Sequence, residues 1–198
     1  MRNAVRAMCR GIGVAVAVSA VVLTTAGCET NRAAPETVVV EVPGPGMPPP
    51  TAPWTTAQLT YHPCVVLAET DLSRFGFESP GDASTPPQGT HCLWRGRDGA
   101  GRRQTLSFVP DHDGDYAPYE RVFREKNPDA TRTLTLADRP AFVFFDGSGD
   151  PLGCTVYAAV ESGGQFRLSV DYESGARIAA QDCDPLVEVA GLVAGRMR

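Results

Sequence analysis

The chain has 198 residues, with 20 glycines, 17 prolines and a formal charge of −5. Without its first 27 residues, which hold three arginines and no acid, it carries 15 basic residues against 23 acidic ones. That surplus of acid excludes a nucleic-acid partner, which rewards a basic stripe, and electrostatic docking on anionic lipid.

Arg2, Arg6 and Arg10 form a basic start, and Gly11 to Gly27 is uncharged. As a helix this run reaches about 25 Å, short of a hydrocarbon core of ~30 Å. Residues 1–27 therefore read as an export signal. No twin arginine is present, so the general secretory route is the default. Thr25-Ala26-Gly27-Cys28 resembles a bacterial lipobox, in which the cysteine thiol is acylated and becomes the first residue of the mature chain. Small residues at the two preceding positions give access, and Ala26 and Gly27 supply them; Thr25 departs from the usual leucine. Cys28 is thus the expected lipidation site, with plain secretion and an uncleaved anchor as rivals. Two or three acyl chains, at ~0.8 kcal/mol per buried CH₂, hold a protein firmly on a membrane.

Residues 28–57 are a tether. Seven prolines lie in 29–57 without a sustained period, so no packed core is expected. As a flexible coil the tether spans roughly 30 Å. Trp54 is its odd residue: an indole there either docks on the following domain or stays exposed.

Residues 58–198 read as a single α+β extracytoplasmic domain. "HPCVVLAETDLSRFGF" is helical, with Pro63 in the first turn and Gly76 as the stop; Thr70 alternatively caps a short helix over 71–74. "ESPGDASTPPQGT" is loop. "HCLWRGRDGAGRRQTLSFVP" is a hairpin turning at Asp98–Gly101, with Cys92 and Trp94 on one face and Leu106 and Phe108 on the partner strand. "DYAPYERVFREKNP" is a helix capped by Asp115, with Tyr119, Val122 and Phe123 as its apolar face and Glu120–Arg124 as an i,i+4 pair.

"AFVFFD" (141–146) is apolar on both faces and reads as a central strand. "CTVYAAVE" and "QFRLSVDY" follow, the second with clean alternation and one wet face. "TRTLTLA" (131–137) is a further candidate strand. The last helix starts with Asp184 as cap and Pro185 at its first position, and Leu186, Ala190, Val193 and Met197 form its buried stripe. The sum is an antiparallel sheet of about five strands with flanking helices.

Cys64, Cys92, Cys154 and Cys183 make an even set, as disulfides in an exported domain require. Of three pairings, 64–92 and 154–183 are favoured because they staple the flanking helices to the sheet. Each closes a loop of about 30 residues and is worth about 3–4 kcal/mol in the chain-entropy model. A zinc site at His62, Cys64, His91 and Cys92 lacks the usual CxxC spacing.

The lipobox, the proline-rich spacer, "HPCVVL", "HCLW" and "CDPLVEVAGLVAGRM" together resemble a family of actinobacterial cell-envelope lipoproteins of unknown function, the mycobacterial LprB/LprC-like lipoproteins among them. Cys64, Cys92, Trp94, Cys154 and Cys183 stand at the places of that pattern. The resemblance implies an envelope lipoprotein and allows a PsbP-like α+β sandwich; it brings no catalytic residues.

No GxSxG, HExxH or phosphate loop occurs. "DHDGDY" (111–116) spaces its aspartates like a calcium loop, but Tyr116 stands where the glycine belongs and Val122 where the glutamate belongs, so it reads as a polar turn. The three histidines, His62, His91 and His112, read as structural or solvated. No catalytic residue, metal or cofactor is assigned. The expected function is a non-enzymatic, membrane-anchored module that binds an envelope protein or an apolar lipid-like ligand, with Phe142, Phe144 and Tyr157 as candidate lining of a cavity between sheet and helices. The alternatives are an enzyme without a recognisable motif and a structural surface antigen.

Overall fold

In the computed structural model the described residues are 47–147, 152–174 and 178–198. The leader, Cys28 and the first part of the tether lie outside them.

Seven strands form one antiparallel sheet, not five. They are β1 (Asp82–Ser84), β2 (His91–Arg97), β3 (Arg103–Asp111), β4 (Thr131–Leu136), β5 (Arg139–Asp146), β6 (Gly153–Ala159) and β7 (Gln165–Tyr172), in spatial order β1-β2-β3-β7-β6-β5-β4. Among the described residues three α-helices accompany them: α1 (Glu69–Arg74), α2 (Tyr116–Lys126) and α3 (Asp184–Arg196). The two strands beyond the expected five are the edges: short β1, inside the expected loop, and β4.

The register puts Cys92 beside Phe108 and Trp94 beside Leu106, then Phe108 beside Leu168 and Leu106 beside Val170. Cys154, Val156 and Ala158 continue this face on β6, and Ala141 and Val143 on β5. All of these are buried. Two covers lie on them. One is the segment Trp54–Leu72, with Leu59, Val66, Leu67 and Leu72; the other is α3, with Leu186, Val189, Ala190, Val193 and Ala194. Trp54 therefore docks: it is 7% exposed and its indole N–H donates to the Pro50 carbonyl at 2.9 Å.

The opposite face is covered only in part. There α2 packs Tyr116 and Phe123 on Phe142, Phe144 and Tyr157 of β5 and β6. This explains the two-sided apolarity of β5: it lies one strand from the edge, and α2 dries its second face. Central β7 is dry on one face and wet on the other, where Arg167 and Asp171 are exposed.

Several local expectations shift. The first helical run is a 3₁₀ turn over Pro63–Val66 followed by α1, whose leading N–H at Ala68 is taken by the Asp71 carboxylate at 2.8 Å. Asp115 does cap α2, accepting from the Ala117 N–H at 3.2 Å. Tyr119 and Val122, expected on the apolar face, are each 43% exposed, and Tyr116 takes the inner place instead. Asp184 opens α3 without capping it and pairs with Arg132 at 2.7 Å; the Asp182 carboxylate, accepting from Ala179 N–H at 2.7 Å, closes the start of the preceding 3₁₀ turn over Ala180–Cys183 instead. At the other end of α3, Arg139 of β5 donates to the Ala194 and Met197 carbonyls, both at 2.7 Å. The Ala194 carbonyl also accepts from the Met197 N–H at 3.2 Å, so the guanidinium adds a second donor there and supplies one to Met197, at the helix end where carbonyls run short of partners.

Both expected disulfides are present. Cys64–Cys92 joins the 3₁₀ turn to β2, and Cys154–Cys183 joins β6 to the start of α3, with Cα separations of 5.1 and 5.6 Å.

Arg196 ties α3 to the first cover. Its guanidinium donates to the Val66 carbonyl at 2.9 Å and to the Asp71 carboxylate at 2.6 Å. The hydrogen bond from Arg196 holds the Asp71 carboxyl below its ordinary value, against an opposing effect of burial. A depressed carboxyl contributes stability that is present above its unfolded pKa and is lost as pH falls through the folded one. The stability curve is therefore expected to fall below about pH 4 more steeply in the native protein than in Asp71→Asn. Urea unfolding across that range checks this; parallel curves would remove Asp71 from the account.

Candidate functional site

The expected lining residues Phe142, Phe144 and Tyr157 pack against one another and against α2. Phe142 stacks on Tyr157 at 5.0 Å between centroids, and Phe123 meets Phe142, Tyr157 and Phe144 at 5.4, 5.4 and 5.1 Å. Beside them the Tyr116 hydroxyl is buried without a hydrogen-bond partner, and burial pushes the phenol's pKa well above its ordinary value. An unmade buried hydrogen bond costs about 1–3 kcal/mol. Tyr116→Phe is accordingly expected to raise stability by about 1 kcal/mol. Calorimetry decides: a lower Tm would mean the hydroxyl is satisfied.

A groove of about 760 Å³ opens elsewhere, on the well-covered face at the end where β3 begins and β7 finishes. Its floor is Val170, Tyr172 and Gln104, and one wall is Leu186 and Val189 of α3. All five are buried residues. The facing wall is the end of α1, Ser73 to Phe77, and the mouth is the β2–β3 turn, Arg97 to Ala100.

The α1 wall is positioned by a close backbone approach. Gly76 has φ +77°, and Arg97 N–H donates to its carbonyl at 2.9 Å. A Cβ on Gly76 would fall 2.0 Å from the Arg97 carbonyl oxygen, and one on Gly96 would fall 2.0 Å from the Gly76 oxygen. Only two glycines let α1 end against β2 so tightly. Gln104 then reaches across, donating its amide N–H to the Phe75 carbonyl at 3.2 Å.

Much of the charge in the groove is paired internally, while Arg97 at the mouth donates to the Gly101 carbonyl at 2.8 Å. Arg102 lies 5.1 Å over the Tyr172 ring, donates to Asp98 at 2.6 Å and reaches Asp182 at 3.5 Å. Burial raises the Asp98 carboxyl, but hydrogen bonds from the Arg102 side chain and backbone outweigh it, and the net shift is downward. Burial raises the Tyr172 phenol in spite of the nearby Arg102. Asp98 stays ionised at neutral pH and Tyr172 protonated, so neither is poised to exchange a proton there. Among the described residues nothing hydrogen-bonds the Tyr172 hydroxyl. The result is an aromatic and aliphatic trough with a charged rim, on which exposed Arg74 and Glu188 pair at 3.2 Å.

Sequence reasoning did not find this groove. Its residues come from four separated segments, and none forms a local motif. His62 and His91 stand beside the Cys64–Cys92 disulfide, which takes both thiols of the weighed zinc set. Among the described residues no group of three or more His, Cys, Asp or Glu is placed to hold a metal, and no helix is long and apolar enough to cross a membrane.

A family model described as "Protein of unknown function (DUF3558)" matches residues 23–196. No curated protein and no solved structure matches the chain.

Proposed function

The chain belongs to the DUF3558 family, and on that premise we propose that it is a lipid-anchored, non-enzymatic binding module of the cell envelope. The family match begins at Leu23, so the lipobox-like stretch and Cys28 lie within the family's span. Disulfides in a chain with an export-type leader fit an extracytoplasmic compartment. The groove carries the binding half of this reading. At about 760 Å³ it lies within the ~300–1,000 Å³ of small-ligand sites, with Val170, Tyr172, Leu186 and Val189 as an apolar lining and charged residues around its rim. Because Arg102 is already neutralised by Asp98 and Asp182, the favoured ligand has an apolar body and makes few polar contacts, one of them to the Tyr172 hydroxyl. An acyl chain or isoprenoid meets that description.

Native mass spectrometry of the detergent-extracted full chain tests the proposal. A co-purifying lipid-sized ligand is expected on the native protein and is lost in Ala100→Trp, which fills the mouth from an exposed turn. A clean apo protein, or a ligand retained in Ala100→Trp, overturns it. Metabolic labelling with a fatty-acid analogue tests the anchor: label is expected on the native chain and absent from Cys28→Ala.

A further inference from the structure

A second pocket lies at the other end of the same two strands and on the opposite face. Gln104 and Tyr172 are register partners at the groove; Asp111 and Gln165 are partners at the far end, with side chains directed to the other side. We propose that this far pocket, of about 360 Å³, binds a neutral pyranose sugar. The inference is independent of the groove's ligand.

Three observations carry it. The first is aromatic. Tyr119 stacks on Tyr157 at 5.6 Å and 27°, both line the pocket, and Tyr119 remains 43% exposed. An open phenol ring offers a flat apolar face with a polar tip, which suits the C–H face and hydroxyls of a pyranose.

The second is an unfinished hydrogen-bond set. Gln165 lines the pocket and is only 2% exposed. Its amide N–H donates to the Asp111 carboxylate at 3.2 Å, while its Oε1 has no partner. Buried amides are normally satisfied, and an apolar residue at this position would avoid the penalty. The pair is also held in place: a Cβ on Gly114 would fall 2.2 Å from the Asp111 carboxylate and 2.7 Å from the Gln165 amide nitrogen. The loop packs against these two groups, and the Gln165 amide positions the Asp111 carboxylate to accept from sugar hydroxyls.

The third is charge. Arg167 and Asp111 line the pocket together with His112, which already faces Asp113 at 3.2 Å. One cation and one anion leave no net field to select an ion, while a guanidinium fork and a carboxylate present donors and acceptors for neighbouring hydroxyls.

Saturation-transfer NMR on the full chain is the test, with methyl β-D-glucopyranoside, methyl α-D-mannopyranoside and N-acetylglucosamine as probes. Transfer to ring protons of at least one probe is expected. Tyr119→Ala and Asp111→Asn should each weaken binding about tenfold or more, and Val122→Ala, exposed on the same helix, should leave it unchanged. Co-sedimentation with insoluble peptidoglycan separates the possible sources. Sedimentation competed by the active glycoside assigns a polymer; transfer without sedimentation assigns a free sugar; either supports the site. No transfer from any probe, or equal transfer in both pocket variants, overturns the proposal.

Discussion

Gly76→Ala is expected to lower the unfolding free energy by about 3 kcal/mol or more. A side chain forced into the left-handed region costs about 1–2 kcal/mol, and overpacking adds about 1–3 kcal/mol. Here the obstacle is a backbone carbonyl, 2.0 Å from the new methyl, which cannot rotate away as a side-chain tip would. The substitution should also push the end of α1 off β2 and release Gln104 from the Phe75 carbonyl, widening the groove. Urea unfolding followed by tryptophan fluorescence reads the first effect, and loss of the co-purifying ligand reads the second. Gly99→Ala is the comparison: its new methyl meets nothing within 4 Å, so its effect should be within about 0.5 kcal/mol. Equal stability of the two variants would refute the close-approach account.

Removing the inner disulfide should have an effect of similar size. Cys154 and Cys183 are each 1% exposed and close a sequence separation of 29. The chain-entropy model gives about 3–4 kcal/mol for such a loop. In Cys154→Ala/Cys183→Ala the buried sulfurs also leave space that packing cannot fully recover, so the observed loss should reach the upper part of the ~2–5 kcal/mol range. Hydrogen exchange distinguishes a local from a global effect: α3 should lose protection before the centre of β7 does. Uniform loss across the sheet would mean that the bond does not specifically secure α3.

The residues that announced their structure did so through short-range chemistry. Asp115 before an apolar period gave α2 its start, two glycines gave the β2–β3 turn, and alternation gave β7. The disulfide pairing followed from placing each cysteine on its element. What stayed hidden depended on contacts distant in sequence. Tyr116 displaced Tyr119 from the inner face of α2 because the sheet surface under the helix selects which rings fit. The β4–β5 hairpin gave little turn signal because its left-handed positions are Ala137 and Asp138, at φ 47° and 63°, rather than the usual Asn-Gly. Double-sided apolarity in β5 suggested centrality, when its cause is a helix on the second face. The groove and the far pocket were the least legible, since each gathers residues from remote segments of the chain.

The meeting of Trp54 with the chain's end has a mechanical meaning. Trp54 N–H donates to the Arg196 carbonyl at 2.9 Å, and Arg198 N–H donates back to the Trp54 carbonyl at 2.8 Å. A pull arriving through Pro50 would load these two bonds and the seated indole before it reached any strand. From there one share of the load would run down α3 to Cys183 and enter β6 through its disulfide, while the other follows the chain to Cys64 and enters β2. Tension on the leading segment would thus be shared with the middle of the domain, and Trp54 and the end of α3 would behave as one splice.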